Sequence, residues 1–300
     1  MREASLIDRQ RRRGRGALSN ADGRFEQHTY TEDDDGWGSL ETLERFATET
    51  QIEQARSIIS HNDSPDLSFD LSINPYRGCE HGCIYCYARP THAFLGHSPG
   101  LDFETKLYAK TNASELLEEE LARPGYVPKT IALGAVTDPY QPIERTYQIS
   151  RQILEVMDRT SHPVGIVTKS ALVVRDIDIL QRLAERDLVR VALSVTTLDA
   201  RVARAMEPRA ATPSRRIETI KRLSEAGIPT TIMTAPIIPG LTDYEIEAIL
   251  TAGRDAGAES ASYVLLRLPL ELKTLFREWL EESFPDRACT VALITAQISG

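Results

Sequence analysis

Three cysteines stand within eight residues of a chain that contains four in total. They are Cys79, Cys83 and Cys86, in the stretch "GCEHGCIYCYARP" over 78–90. Thiolates at this spacing can converge on one soft metal centre, and the flanking glycines let the backbone wrap closely around it. A disulfide needs cysteines in pairs, and a structural zinc site usually needs four ligands. The motif therefore predicts a metal centre with one position left open.

Three other uses of these thiols compete with that interpretation. A structural zinc ion could take His81 or His92 as its fourth ligand, which would make the protein a non-catalytic metal-binding module. Merely structural thiols fit poorly in a loop this polar and rich in glycine, and disulfides fit poorly with an odd cluster in a reducing compartment. Iron–sulfur clusters normally take four cysteines, so one held by three would keep an iron open for another ligand.

Length and composition indicate an ordinary soluble globular protein. The chain has 300 residues, of which 41% are hydrophobic and 26% charged. This length fits one α/β barrel as well as two smaller domains. No apolar run is long enough to span a membrane, and no apolar signal core follows the basic start, so we expect a cytoplasmic protein. The net charge of −9 argues against a broad nucleic-acid-binding surface.

Beyond the cysteine motif, short β-branched runs alternate with amphipathic stretches. The runs are "TIALGAV" (130–136), "VGIVTK" (164–169), "VRVALSV" (189–195), "PTTIMTA" (229–235) and "ASYVLL" (261–266). A further strand is expected just before Asn74. Strict alternation predicts parallel strands with right-handed crossovers. Six such units predict an α/β fold, a partial six-stranded (β/α)6 parallel barrel with its active site at the C-terminal strand ends. A doubly wound open sheet is the alternative.

The first forty residues differ in composition from the rest. They contain the charged runs "RQRRRGRG" and "EDDDG" and few apolar residues. This composition predicts a disordered charged tail over 1–40. A short helix is expected over 41–59. Because neither a second domain nor an internal repeat is found, we expect residues 41–300 to form one barrel domain.

The cysteine motif, with the aromatic Tyr85 before its third cysteine, resembles the CxxxCxxC signature of the radical S-adenosylmethionine (radical SAM) superfamily. The string "NPYRGCEHGCIYCYARPTH" is similar to one branch of it, bacterial proteins related to the DNA-repair enzyme spore photoproduct lyase. The resemblance extends through "GAVTDPYQPIE", "VTKS", "LSVTTLD", "EPRAATPSRRIE" and "APIIPGLTDYEIE", and covers 64–285.

This resemblance implies a function. The three cysteines of a radical SAM enzyme hold a 4Fe–4S cluster whose fourth iron binds S-adenosyl-L-methionine (AdoMet). One electron, here expected from a flavodoxin- or ferredoxin-like donor, cleaves AdoMet and starts radical chemistry on the substrate. Kinship with the lyase makes a nucleic acid one candidate substrate, and a small metabolite or a protein side chain is the other. We expect a monomer with no membrane partner.

The resemblance also implies cofactor contacts at the ends of the second, third and fourth strands. Thr137 and Asp138 would meet the methionine ammonium of AdoMet, and Lys169 would pair with its carboxylate. The hydroxyl of Ser194 would bond the ribose. Each has a plainer alternative: "TDPYQP" is a turn sequence, a lysine at a strand end is usually solvated, and a serine can bond nearby backbone.

Four further residues are expected beside the cofactor. Main-chain groups of Tyr85 and Ala235 would contact the adenine edge. Glu207 and Arg209 would form an ion pair next to the cofactor, or Arg209 would bind the cofactor carboxylate. The plainer alternative for this pair is a surface ion pair of little consequence.

Two features depart from the pattern of the branch. Related proteins continue with a glycine- and arginine-rich segment where this chain ends at "VALITAQISG", so we expect a short C-terminal segment. The lyase carries a hydrogen-donating cysteine at the end of its second strand, where this chain has Val136 and Thr137. Tyr140 is an alternative hydrogen donor, and the resemblance assigns no catalytic residue.

Overall fold

Six parallel strands form the main sheet of the protein. The computed structural model describes residues 6–25, 46–62 and 69–298, with side chains described as far as Val291. Its strands are β1 (Glu49–Ile52), β2 (Ile59–His61), β3 (Leu71–Ile73), β4 (Tyr76–Arg77), β5 (Lys106–Ala109), β6 (Ile131–Leu133), β7 (Val164–Thr168), β8 (Val189–Ser194), β9 (Thr230–Ile237) and β10 (Ser260–Leu265).

The order of the strands distinguishes the two predicted architectures. The main sheet runs β10-β9-β8-β7-β6-β3-β2, and only β2 is antiparallel to its neighbour. The parallel strands therefore follow one another in chain order without the reversal that defines a doubly wound sheet. This progression confirms the six-unit α/β fold predicted from the alternation of strands and helices.

Helices connect the parallel strands and cover one face of the sheet. They are α1 (Asp102–Thr105), α2 (Ala113–Leu121), α3 (Glu144–Tyr147), α4 (Ile149–Thr160), α5 (Ile177–Ala184), α6 (Ala200–Met206), α7 (Pro213–Glu225), α8 (Ile246–Asp255), α9 (Leu272–Ser283) and α10 (Pro285–Ile298). Within the described ranges, no helix combines the length and the apolar character needed to cross a lipid bilayer.

The period-two alternation of the strands places their large apolar side chains against these helices. Val164 and Ile166 of β7 are buried in the same core as Leu180 of α5 and Leu223 of α7. Burying each such side chain contributes about 1.5–3 kcal/mol. Small residues such as Gly165 fall on the opposite face, which leaves room there at the centre of the sheet.

A small second sheet precedes the cysteine motif. In it, β5 lies between β1, to which it is parallel, and β4, to which it is antiparallel. The helix expected over 41–59 is therefore wrong for its described part, because 49–52 pairs along its whole length with the main chain of β5. This pairing with a distant segment overrides the local helical pattern.

Residues 6–25 pack against the body of the protein, which corrects the disordered tail expected over 1–40 for this part of the chain. Ala17 is fully buried in a core that also contains side chains of the cysteine loop and of α9. The main-chain amides of Gly16 and Ala17 donate to the carboxylate of Glu104 at 2.9 and 2.8 Å. Composition missed this because the contacts use backbone groups and small side chains. The remainder of the expected tail lies outside the described residues.

Candidate active site

The cysteine loop begins directly after β4 and carries three free thiols. Cys79 and Cys83 are buried, and Cys86 is half-buried. Burial raises the pKa of Cys79, and the charges of Asp138, Cys83 and Cys86 raise it further. Hydrogen bonding from the backbone of Asp138 lowers the pKa of Cys79, and that from Ala88 and Arg89 lowers the pKa of Cys86, each against the effect of burial. The three thiols of the loop are thus near enough to affect one another electrostatically.

A fully buried arginine fixes the backbone of this loop. Arg89 donates from Nε to the carbonyl oxygen of Cys83 at 2.9 Å and from Nη2 to that of Gly82 at 3.1 Å. Its Nη2 also pairs with the buried carboxylate of Glu104 at 2.5 Å. Gly82 has φ +68°, and a Cβ atom there would lie 2.7 Å from Oε2 of Glu104. The loop, the arginine and the carboxylate therefore pack too closely for a larger residue at Gly82.

A buried glutamine supports the start of the loop. The side-chain oxygen of Gln141 accepts from the amide of Glu80 at 2.9 Å, and its Nε2 donates to the carbonyl of Gly78 at 3.1 Å. Gln141 belongs to the segment "TDPYQP" that follows β6. The turn expected there is thus also a support for the cysteine loop.

Asp138 joins the same loop to the end of β7. Its Oδ1 accepts from Thr168 Oγ1 at 2.7 Å and from the amide of Tyr140 at 2.9 Å. Its Oδ2 accepts from the amide of Lys169 at 2.8 Å and lies 3.3 Å from Nδ1 of His81. These four donors fill the lone-pair sites of a carboxylate. They leave Asp138 a positioning role and argue against the ammonium contact expected for it.

The electrostatics of Asp138 agree with this role. Burial alone would raise its pKa, but His81 and the hydrogen bonds from Lys169 and Thr168 outweigh burial and lower the pKa to about 2. Thr137 is likewise occupied, because its hydroxyl donates to the carbonyl of Tyr76 at 3.2 Å.

Lys169 directly follows the end of β7. Its Nζ is 5.6 Å from the ring centroid of Tyr85, and its side chain is half-buried. Burial raises the pKa of Cys83 to about 12, and the positive charge of Lys169 opposes that rise. The same charge opposes the rise at Cys86. Lys169 therefore places a positive charge near two of the three cysteines.

Glu207 is buried, but its ion-pair partner is Arg216 of α7, and the pair expected between Glu207 and Arg209 is wrong. The hydroxyl of Tyr85 donates to the Glu207 carboxylate, and Thr196 Oγ1 donates to it at 2.7 Å. Burial would raise the pKa of Glu207, yet the charges of Arg216 and Lys169 lower it to about 2.

Arg209 lies instead at the rim of the cysteine loop. Its Nη2 is 3.2 Å from Oε1 of Glu80, and its amide donates to the carbonyl of His81 at 3.3 Å. The two residues expected to pair are neighbours in sequence, but the backbone directs Arg209 outward and Glu207 inward. The sequence did not indicate Arg216 as the partner of Glu207, because an arginine next to other arginines in a helix is usually exposed.

The ends of β8 and β9 are held together by Ser194. Its hydroxyl donates to the carbonyl of Ala235 at 2.8 Å, and its own carbonyl accepts from Nη1 of Arg216 at 2.9 Å. The Ser194 hydroxyl is therefore engaged by backbone, as in the plainer alternative. Both residues nonetheless lie at the C-terminal strand ends, beside Thr196 and Glu207.

Comparison with known proteins identifies relatives of this chain. Residues 73–252 match the sequence model of the Radical SAM superfamily. An uncharacterized protein of Mycobacterium tuberculosis (strain H37Rv) is 36% identical over 222 residues, which are 73% of this chain and 65% of that protein. One of Methanocaldococcus jannaschii is 28% identical over 214 residues, 71% of this chain and 76% of that protein. The chain thus spans about 65% of the length of its mycobacterial relative.

A solved structure with a similar fold is a spore photoproduct lyase variant with bound AdoMet and dinucleoside spore photoproduct. The superposition has a TM-score of 0.57 and covers 79% of this chain and 67% of the lyase, at 16% sequence identity. At this identity the likeness shows the fold alone.

The buried Arg89–Glu104 pair generates a prediction about stability. Arg89→Met keeps much of the side-chain length but leaves Glu104 buried without its cation, which should lower the free energy of unfolding by about 3–5 kcal/mol. Urea denaturation followed by circular dichroism measures this loss. Arg254→Met is the matched control, because Arg254 pairs with Asp255 at the exposed surface and should cost about 0–1 kcal/mol. Equal losses of unfolding free energy in the two variants would contradict a buried ion pair between Arg89 and Glu104.

The lowered pKa of Glu207 predicts acid sensitivity. A carboxylate whose pKa is depressed on folding stabilises the protein above its ordinary pKa of 4.5, and this contribution is lost as the pH falls toward about 2. Between pH 6 and pH 3 the wild type should therefore lose about 2 kcal/mol through Glu207. Glu207→Gln has no carboxylate at this position to protonate. The midpoint of its urea unfolding curve should therefore shift less between the two pH values than that of the wild type. A loss as large as that of the wild type would refute the prediction.

Proposed function

The chain belongs to the radical SAM superfamily, and we propose that it binds a 4Fe–4S cluster through Cys79, Cys83 and Cys86 and cleaves AdoMet reductively to start radical chemistry. One observation carries the proposal. The three free thiols of the motif lie on one loop that Arg89 and Gln141 hold in place at the C-terminal strand ends, and the positive charge of Lys169 acts on two of them.

The chemistry of the donor set fits such a cluster. All three donors are sulfur, which is the ligand that iron–sulfur clusters take. Hydrogen bonding from nearby main-chain amides lowers the pKa of Cys79 and of Cys86, against the effect of burial. Hydrogen bonds of this kind stabilise thiolates and help to set the reduction potential of a bound cluster.

The zinc-binding alternative finds no support in the histidines that it would recruit. His81 is paired with Asp138, and Nε2 of His92 contacts the carbonyl of Lys106 at 2.9 Å. In the described ranges no three cysteine, histidine or carboxylate side chains, the motif cysteines included, are arranged to hold a single metal ion. Each cysteine of a 4Fe–4S cluster binds a different iron, so this finding bears on a zinc ion and not on a cluster.

The residues around the loop would bind and position the cofactors, whose own chemistry they leave unchanged. Cys79, Cys83 and Cys86 would hold the cluster, which would supply the electron for the reductive cleavage of AdoMet. Lys169 binds the AdoMet carboxylate through a charge-assisted hydrogen bond. Glu207, which is paired with Arg216, accepts from the hydroxyl of Tyr85 and so fixes this motif residue between the second and third cysteines.

The substrate that we propose is a nucleic acid, supported by the likeness of fold to a structure with a bound dinucleoside lesion. We do not propose that this chain donates a hydrogen atom to its substrate as the lyase is expected to do. Val136 packs beside Cys79 in place of a thiol. Tyr140 is buried, and its hydroxyl donates to Asp176 at 3.1 Å, so it faces away from the site. An electron donor of the flavodoxin or ferredoxin type completes the proposal.

The cluster assignment is tested by iron and sulfide analysis. Protein reconstituted without oxygen should bind about four irons with matching sulfide. Cys79→Ala, Cys83→Ala and Cys86→Ala should each lose this content because each removes one of the three ligands. Cys289→Ala is the control and should keep it, since Cys289 is exposed on α10. Stoichiometric zinc without sulfide in the wild type would overturn the proposal.

The role of Lys169 is tested by AdoMet affinity. Losing a hydrogen bond to a charged group costs about 1.5–3 kcal/mol, so Lys169→Met should weaken AdoMet binding about ten- to a hundredfold. Isothermal titration of the reconstituted protein measures the affinity, and iron content should stay at the wild-type level. Lys221→Met removes an exposed lysine of α7 and should leave the affinity unchanged. Equal affinities in the two variants would show that the carboxylate binds elsewhere.

A further inference from the structure

A polar recess of about 340 Å³ opens beside the cysteine loop, at the edge of the small sheet. It is formed by the loop 53–57 after β1, by Arg77 of β4 and by Lys110 after β5. Three of its side chains, Arg56, Arg77 and Lys110, are cations, and Glu53 is its single carboxylate. This excess of positive charge is local, because the whole chain has a net charge of −9.

The cations of the recess keep hydrogen-bond donors available for a ligand. Arg77 uses Nε and Nη2 on Glu53, at 2.7 and 2.9 Å, which leaves Nη1. Lys110 donates from Nζ to the carbonyl of Asn74 at 2.9 Å, and an ammonium has two further hydrogens. Arg56 is exposed and forms no ion pair within the described ranges. After Glu53 has neutralised Arg77, two positive charges remain.

The charges in the recess are held close enough to oppose one another. Burial lowers the pKa of Lys110, the positive charge of Arg77 lowers it further, and the carboxylate of Glu53 opposes part of that effect. A phosphate in the recess would add negative charge beside Lys110 and Arg56, which Glu53 does not pair with.

The recess lies next to the strand ends that carry the candidate active site. Asn74 connects the two places: its carbonyl accepts from Lys110, and its Oδ1 accepts from the amides of Val136 and Thr137 at 2.7 and 3.3 Å. Arg77 is two residues before Cys79 in the chain. A molecule bound in the recess could therefore extend over the strand ends.

We propose that this recess binds a phosphate group of the substrate and so positions the substrate over the cysteine loop. Phosphate oxygens are strong acceptors for guanidinium and ammonium donors, and a recess with few apolar walls suits a small charged group. The phosphate is a phosphodiester of a nucleic acid or the phosphomonoester of a small molecule. The binding site itself is independent of AdoMet chemistry, but its link to a substrate rests on the proposed function.

The test measures binding of three probes to the full chain, without AdoMet or reductant. They are inorganic phosphate, thymidine 5′-monophosphate and a single-stranded oligodeoxynucleotide without terminal phosphates. Fluorescence anisotropy follows the labelled oligonucleotide, and isothermal titration follows the other two. Tightest binding of the oligonucleotide assigns the site to phosphodiesters, whereas tightest binding of the monophosphate assigns it to phosphomonoesters. If none of the three binds at millimolar concentration, the proposal is wrong.

Variants connect that binding to the recess. Lys110→Met and Arg56→Ala should each weaken the tightest probe about tenfold or more. Lys129→Met, which removes an exposed lysine paired with Asp70, should change it less than about twofold. Glu53→Gln should tighten binding, because it removes the only negative charge of the recess. Equal binding by Arg56→Ala and Lys129→Met would overturn the proposal.

Weaker binding by a variant must be distinguished from a loss of folding. Arg56 makes no hydrogen bond within the described ranges, so Arg56→Ala should fold normally even if Lys110→Met does not. Near-ultraviolet circular dichroism checks both variants. For the single-stranded oligonucleotide, Arg56→Ala should also reduce the slope of log K against log salt by about 0.7, the value for one lost phosphate contact. An unchanged slope would place Arg56 away from the phosphate.

Discussion

The buried ion pair between Arg89 and Glu104 determines the shape of the candidate site. Burying two charges is costly unless their hydrogen bonds are fully satisfied. Here all five N–H donors of Arg89 are used, on Glu104 and on carbonyl oxygens of the cysteine loop and of residues 99 and 100. Glu104 in turn accepts from Gly16 and Ala17. The loop is thus fixed by protein contacts alone, before any cofactor is bound.

Two further carboxylates hold the same loop from other directions. Asp138 connects His81 of the loop to the end of β7, and Glu207 connects Tyr85 to Arg216 of α7. Both have a pKa of about 2, because their partners outweigh the effect of burial. Since these carboxylates are already satisfied by the protein, Lys169 is left as the half-buried charge that can respond to a ligand. Positioning and ligand binding therefore fall to different residues.

The sequence predicted the six parallel strands of the main sheet, because these follow from local patterns. It failed where a contact joins distant segments through backbone or small groups. The packing of residues 6–25 depends on two amides, and β1 depends on pairing with β5. The sequence also did not predict the partner of Glu207. Arg209 was expected because it is close to Glu207 in the chain, but the ion pair forms with Arg216, whose position on α7 directs its side chain inward.

Formation of 5′-deoxyadenosine tests the central claim most directly. Protein reconstituted without oxygen would be reduced, mixed with AdoMet without further substrate, and analysed by chromatography and mass spectrometry. We predict that the wild type forms 5′-deoxyadenosine well above a control without protein, and that Cys83→Ala stays at the level of that control. A wild-type protein with its full content of iron and sulfide that binds AdoMet yet forms no 5′-deoxyadenosine would contradict the assignment.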